Sequence, residues 1–201
     1  MKNNTGEVYE TKNIIIKKLS NRFIYKIEQL LINNDTANKK GIDIGSAEGH
    51  LINNLKSKKL LNNIYMTEID YDKITNRVTD KSELQYIQCD ATNISFKSNT
   101  FDFVIATEIL EHLQKPEKAL QEICRISKKD AAIILSVPYE PYFQLGNLLR
   151  GKHLALGGKT PEHLHFWTRK EFNKLLNNYL IIKNEYRLAT FPWLMYLCTN
   201  K

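Results

Sequence analysis

Residues 41–50 read Gly-Ile-Asp-Ile-Gly-Ser-Ala-Glu-Gly-His. A short apolar run is broken by glycine, and a helical pattern follows at once from Gly49 to about Leu55. That is strand, tight turn, helix, and the chain beyond repeats the alternation. Ile64 to Ile69 reads as a second strand, Tyr71 to Val78 as a short helix, and Leu84 to Cys89 as a third strand. Phe101 to Ala106 forms a fourth, and Pro116 to Ile126 a helix with proline suited to its first turn. Ala131 to Val137 is a fifth strand stopped by Pro138, followed by an irregular segment to about Pro161. Thr168 to Asn177 begins like a capped helix, with Thr168 three residues before Glu171. Two strands, about 179–187 and 192–199, complete the count. Strands alternating with helices argue for a parallel sheet with helices on both faces, and two final strands with no helix between them for an antiparallel hairpin at one edge. The predicted class is α/β, a doubly wound, seven-stranded, mostly parallel sheet.

With 201 residues the chain suits one domain, 1–201. An amphipathic leader over 1–35 places Ile15, Ile16, Leu19, Phe23, Ile27, Leu30 and Leu31 near the helical repeat, as one or two helices. No stretch approaches the roughly 18 uninterrupted apolar residues of a membrane span, and the polar start, MKNNTGEVYETKN, lacks the features of an export signal. Cys89, Cys124 and Cys198 are widely spaced, which suggests neither a disulfide framework nor a zinc site. A cytoplasmic protein without membrane association is the expectation. The net charge of +7 permits an anionic partner, but the lysines are scattered in pairs, so a nucleic-acid face is possible and not favoured.

The glycines at 45 and 49 let backbone approach a ligand at the carboxyl end of a strand, where parallel sheets bind ligands. Glu48 in this turn would repel a phosphate, so a cationic or zwitterionic ligand fits better than a dinucleotide. Glu68 ends the second strand roughly twenty residues on, where an acid in such sheets accepts from ribose hydroxyls. Asp90 ends the third strand, and with Ala91 beside it suits an adenine.

From Gly41 to about Val137 the sequence resembles the class I methyltransferase domain that uses S-adenosylmethionine, in particular small single-domain members. GIDIGSAEG resembles that family's D-x-G-x-G-x-G loop, Glu68 its ribose-binding acid, and CDATNISFKSNTFDFVIATEILEHLQKPEKALQEICRISK its adenine-binding acid, fourth strand and following helix. The resemblance implies a Rossmann-like sheet. It also implies a cofactor site in which Asp43, Gly45, Ser46, Ala47 and Gly49 hold the methionine end, Glu68 with Ile69 the ribose, and Asp90 with Ala91 the adenine. Thr107 at the end of the fourth strand completes this set. Two residues depart from the family pattern: Ala47 stands where many members carry glycine, and Glu68 where aspartate is more frequent. Both are expected to be tolerated.

The fourth strand also delivers Glu108, Glu111 and His112 beside the presumed methyl group, with His112 a candidate base or orienting group. The 138–167 insert mixes aromatics with Glu140, Arg150, His153, His163 and His165, as a pocket for a small-molecule acceptor would. His163 and His165 are further candidate bases. With Glu162 they lack a clear third ligand, so no metal is expected. Gly158-Lys159-Thr160 lacks the upstream glycine and the following helix of a phosphate loop. A methyltransferase acting on RNA or other nucleic acid, and a cofactor-binding scaffold without activity, remain as alternative readings.

Overall fold

A computed structural model describes residues 13–75, 85–140, 142–149, 151, 153–187 and 193–201. The chain forms α1 (Ile14–Asn33), β1 (Lys40–Ile44), α2 (His50–Ser57), β2 (Asn63–Glu68), α3 (Tyr71–Thr75), β3 (Gln85–Gln88) and β4 (Phe101–Thr107). A 3-10 turn, Leu110–His112, leads to α4 (Pro116–Ile126) and β5 (Ser127–Pro138). Then come α5 (Tyr142–Leu149), a second 3-10 turn (Leu154–Leu156), α6 (Arg169–Tyr179), β6 (Leu180–Arg187) and β7 (Trp193–Asn200). Within the leader, the described residues Ile14–Asn33 form one helix. Residues 1–12, Leu84 and positions 76–78 of the expected helix lie outside the described residues.

The seven strands make one sheet in the order β3-β2-β1-β4-β5-β7-β6. The first five pair in parallel, while β7 runs antiparallel to both β5 and β6. Order therefore reverses between β1 and β4, the topological switch point where such sheets bind ligands.

Period-two alternation builds two apolar layers. Ile42, Ile44, Val104, Ala106, Ile133, Leu135 and Tyr196 share one layer with Leu120 and Ile123 of α4 and Phe172 and Leu176 of α6. Met66, Phe103, Ile105, Ile134 and Met195 share the other with Phe23, Ile27 and Leu31 of α1 and Ile52 and Leu55 of α2. In β1, Gly41 pairs with Phe103 of β4, and the phenyl ring fills the space above it. A Cβ at residue 41 would lie 1.9 Å from Phe103 Cζ, so glycine here is a condition of packing.

Local signals set the helix starts. Pro116 stands in the first turn of α4. Thr168 and Glu171 form a reciprocal capping box at α6. Arg125 of α4 donates to the carbonyls of Phe96 and Ile94 at 2.6 and 2.7 Å, and its partner Glu122 accepts from Ile94 N at 2.7 Å. This pair fixes the loop after β3, which carries Asp90.

The insert is more regular than expected, since α5 and a 3-10 turn occupy the segment read as irregular. Gly146 interrupts the pattern, and Tyr142, Leu145 and Leu149 are exposed, so no buried apolar face marks the helix. Its anchor is polar: the buried Asn147 donates to the Gly158 carbonyl at 2.9 Å. Arg150, a candidate pocket group, lies outside the described residues. Among the described residues no helix is long and apolar enough to cross a membrane.

Candidate active site at the carboxyl ends of the strands

The turn after β1 is tied to the end of β2. Gly45 and Ser46 both donate through their backbone N–H groups to the Thr67 carbonyl, at 2.8 and 2.9 Å. Gly45 adopts φ 72°, and a Cβ there would lie 2.5 Å from Ile109 Cδ1, so both conformation and space call for glycine. The same contact puts the 45–49 turn against the segment that leads from β4 into Leu110–His112. Ala47 adopts φ 48°. The departure from glycine therefore places an L-residue in the left-handed region, at a cost of about 1 kcal/mol. Its N–H donates to Glu68 Oε2 at 2.9 Å, and its carbonyl accepts from the Tyr86 hydroxyl. Gly49, at φ 83°, is the N-cap of α2.

Glu68 is 6% exposed and accepts three backbone hydrogen bonds, from Ala47 to Oε2 and from Ile69 (2.9 Å) and Asp70 (3.1 Å) to Oε1. A carboxylate has about four acceptor sites, so one remains, on Oε2. Next to it the Ile69 side chain is 61% exposed, an apolar surface beside a polar anchor. Asp43 lies buried behind the turn, and burial, with the charge of Glu68, raises its pKa well above the usual carboxylate range. Asp90 Oδ1 accepts from the N–H and hydroxyl of Thr92 at 2.8 and 2.9 Å, which fixes the turn through the buried Ala91. Thr107 ends β4 opposite Ser136. The cofactor residues expected from the sequence thus converge along the ends of β1 to β4.

The residue after Thr107, Glu108, adopts φ 55°. Its carboxylate is clamped by the Ser136 hydroxyl and the Trp193 indole N–H, each at 2.8 Å. Burial pushes its pKa to about 7, against the pull of those two donors. Glu111 is 1% exposed, and neither of its carboxylate oxygens has a hydrogen-bond partner among the described residues. Burial, and then the nearby Glu108 charge, hold its pKa well above the carboxylate range.

The insert returns to this point through its backbone. The N–H groups of Leu164 and His165 donate to the Glu111 carbonyl at 2.8 and 3.2 Å, and His163 is brought to His112 with ring centroids 5.0 Å apart. His112 Nδ1 lies 3.0 Å from the Glu162 carbonyl, which can only accept, so the Nδ1 carries the hydrogen. The Nε2 of neutral His112 then presents a lone pair, 4.0 Å from Glu111 Oε1. Burial lowers the His163 pKa to about 4, and its Nδ1 lies 4.0 Å from Glu140 Oε1; neither atom has a hydrogen-bond partner among the described residues. His165 stands apart, with Nε2 2.9 Å from the Leu113 carbonyl and its ring stacked on Trp167.

Of these contacts, the roles of Tyr86 and Trp193 were not read from the sequence. Each lies on a strand whose alternation marks it only as an inward or outward position. Nothing local signals that its polar atom reaches the Ala47 carbonyl or the Glu108 carboxylate.

Comparison with known proteins agrees with this architecture. A family model described as a methyltransferase domain matches residues 16–179. The chain belongs to this methyltransferase-domain family. It is 27% identical over 128 residues to the mitochondrial arginine-hydroxylase NDUFAF5 of Danio rerio, covering 63% of this chain and 40% of that protein. The chain spans about half or less of the length of the first curated relatives it matches. Among solved structures, the PH0226 protein of Pyrococcus horikoshii superposes with a TM-score of 0.70 at 19% identity, covering 90% of this chain and 91% of that one. A SAM-dependent methyltransferase from Aquifex aeolicus superposes with a TM-score of 0.64 at 14% identity, covering 81% and 82%. At these identities the likeness establishes the fold.

Proposed function

We propose that this chain binds S-adenosylmethionine across the ends of β1 to β3 and catalyses transfer of its methyl group to a small-molecule acceptor. The observation that carries the reading is Glu68, held by three backbone N–H groups with one acceptor site left beside exposed Ile69. That arrangement suits a ribose hydroxyl with the flat base lying next to it. The 45–49 turn would hold the methionine end, and Asp90 with Ala91 the adenine edge. When bound, the cofactor supplies a methyl group already activated on a sulfonium, so the protein's task is chiefly alignment and exclusion of water.

The acceptor side is formed by the end of β4 and the 138–167 insert. His112, its Nδ1 occupied by the Glu162 carbonyl, offers Nε2 to orient an acceptor or receive its proton. His163 and Glu140 border the same space, while His165 braces the insert.

The test is release of S-adenosylhomocysteine, and transfer of labelled methyl, over a panel of phenols, amines and carboxylic acids with RNA included. Label is expected in a small molecule, and His112→Ala should slow turnover by about 100-fold or more with cofactor affinity unchanged. Label found only in RNA, or no transfer to any class, would overturn the reading.

A further inference from the structure

We propose that Glu111, His112 and His163 form a binding site for one divalent transition-metal ion, of which zinc is the model, with a coordination position left open on the acceptor side. One ligand atom from each lies within 4.8 Å of the others. Zinc bonds of about 2.0–2.2 Å set ligand atoms roughly 3.4 Å apart, so the cluster closes on an ion by side-chain movements of about an ångström. Two imidazoles and one carboxylate are a donor set that binds such metals while leaving room for a further ligand.

Three features favour an ion over a hydrogen-bonded structural cluster. Both Glu111 carboxylate oxygens are buried without a hydrogen-bond partner among the described residues, which is costly for a polar group unless something else satisfies it. Among the described residues, neither Glu111 nor Glu140 forms an ion pair with a lysine or arginine. Finally, the Glu162 carbonyl sets the His112 tautomer, leaving Nε2 free of hydrogen on the side of Glu111. A backbone carbonyl fixing the far nitrogen of a histidine is the usual support of a metal-ligating imidazole. Glu140, 3% exposed and with Oε1 unpartnered 4.0 Å from His163 Nδ1, supplies outer negative charge or support for that ring.

The segments have no sequence proximity: His163 follows His112 by 51 positions, and backbone hydrogen bonds from Leu164 and His165 to Glu111 bring them together. An ion here would lie beside the segment that packs on Gly45, on the acceptor side of the cofactor turn. It would suit an acceptor with an oxygen or nitrogen lone pair, whose proton a bound metal makes more acidic, and with the ion bound His112 acts as a ligand rather than as the base. This assignment goes beyond the methyl-transfer reading and stands without it, because metal binding is measured with no cofactor or acceptor present.

The test uses the full chain, stripped with chelator and titrated calorimetrically with Zn2+ alone. One Zn2+ per chain is expected at micromolar affinity or better, weakened about 100-fold or more by Glu111→Gln and by His163→Asn. His153→Asn, which removes a nearby histidine outside the cluster, should leave it unchanged. Circular dichroism without metal checks that the variants fold. Should either fail to fold, Co2+ loaded into the unaltered chain decides the matter, with visible bands of imidazole coordination supporting the site. No Zn2+ binding by the unaltered chain, equal binding by both folded variants, or Co2+ bands like those of the free aqueous ion would overturn it.

Discussion

Glu68→Ala is expected to weaken S-adenosylmethionine binding by about 100-fold or more, since the change removes both the proposed ribose contact and the support of the turn proposed to hold the methionine end. Hydrogen bonds to a charged group contribute about 1.5–3 kcal/mol each, and Glu68 accepts three from backbone at the junction of β2 with the 45–49 turn. Ala47 already occupies the left-handed region, so loss of its partner frees a strained turn to relax away from the bound geometry. Glu68→Gln separates the two contributions. Its amide oxygen can still accept from Ile69 and Asp70, but its NH2 would then face the Ala47 N–H, and a loss of about tenfold is expected, equivalent to 1.4 kcal/mol. Asp90→Ala removes the fixed turn at Ala91 and should also cost about tenfold. Calorimetric affinities, with melting curves to show that each variant is folded, decide the matter. Unchanged affinity in both the Glu68 and Asp90 alanine variants would remove the cofactor site from these strand ends.

Gly41→Ala is expected to destabilise the fold by roughly 2–4 kcal/mol, at or above the usual range for overpacking a core. In a chain of this size that lowers the melting temperature by about 5–15 °C. The cause is steric: the new methyl would lie 1.9 to 2.4 Å from three ring carbons of Phe103, which is fully buried and has no room to withdraw. Adding Phe103→Leu to the alanine variant should recover part of the loss, because the shorter side chain vacates the space that the methyl needs. Additive effects in the double variant would show that the two positions do not meet. An alanine variant melting within about 2 °C of the unaltered chain would refute the packing argument.

These two positions show what is legible in a sequence of this kind. Strand ends, glycines and acids are local, so the turn at Gly45 and the strand-end positions of Glu68 and Asp90 are legible from spacing alone. The capping pair Thr168 and Glu171 is equally local, and the helix starts where the pair predicts. The reason for Gly41 was not visible, since it depends on Phe103 lying across a strand boundary in register. The convergence of Glu111 and His163 was hidden for the same reason. Spacing places Glu111 after the fourth strand and marks His163 as a candidate base, but only backbone bonds between the insert and the 3-10 turn decide that they meet. Helix α5 escaped because its apolar residues face outward and its fixed point is an asparagine. Contacts that depend on neighbouring residues in one element can be read from spacing, whereas contacts across the sheet need the topology.

Calorimetric titration of the purified chain with S-adenosylmethionine and S-adenosylhomocysteine, with NAD and ATP as controls, tests the central claim most directly. Binding of the two sulfur ligands at micromolar affinity, with neither control bound, is the predicted result. A folded protein that binds neither sulfur ligand, or that binds NAD or ATP in their place, would contradict it.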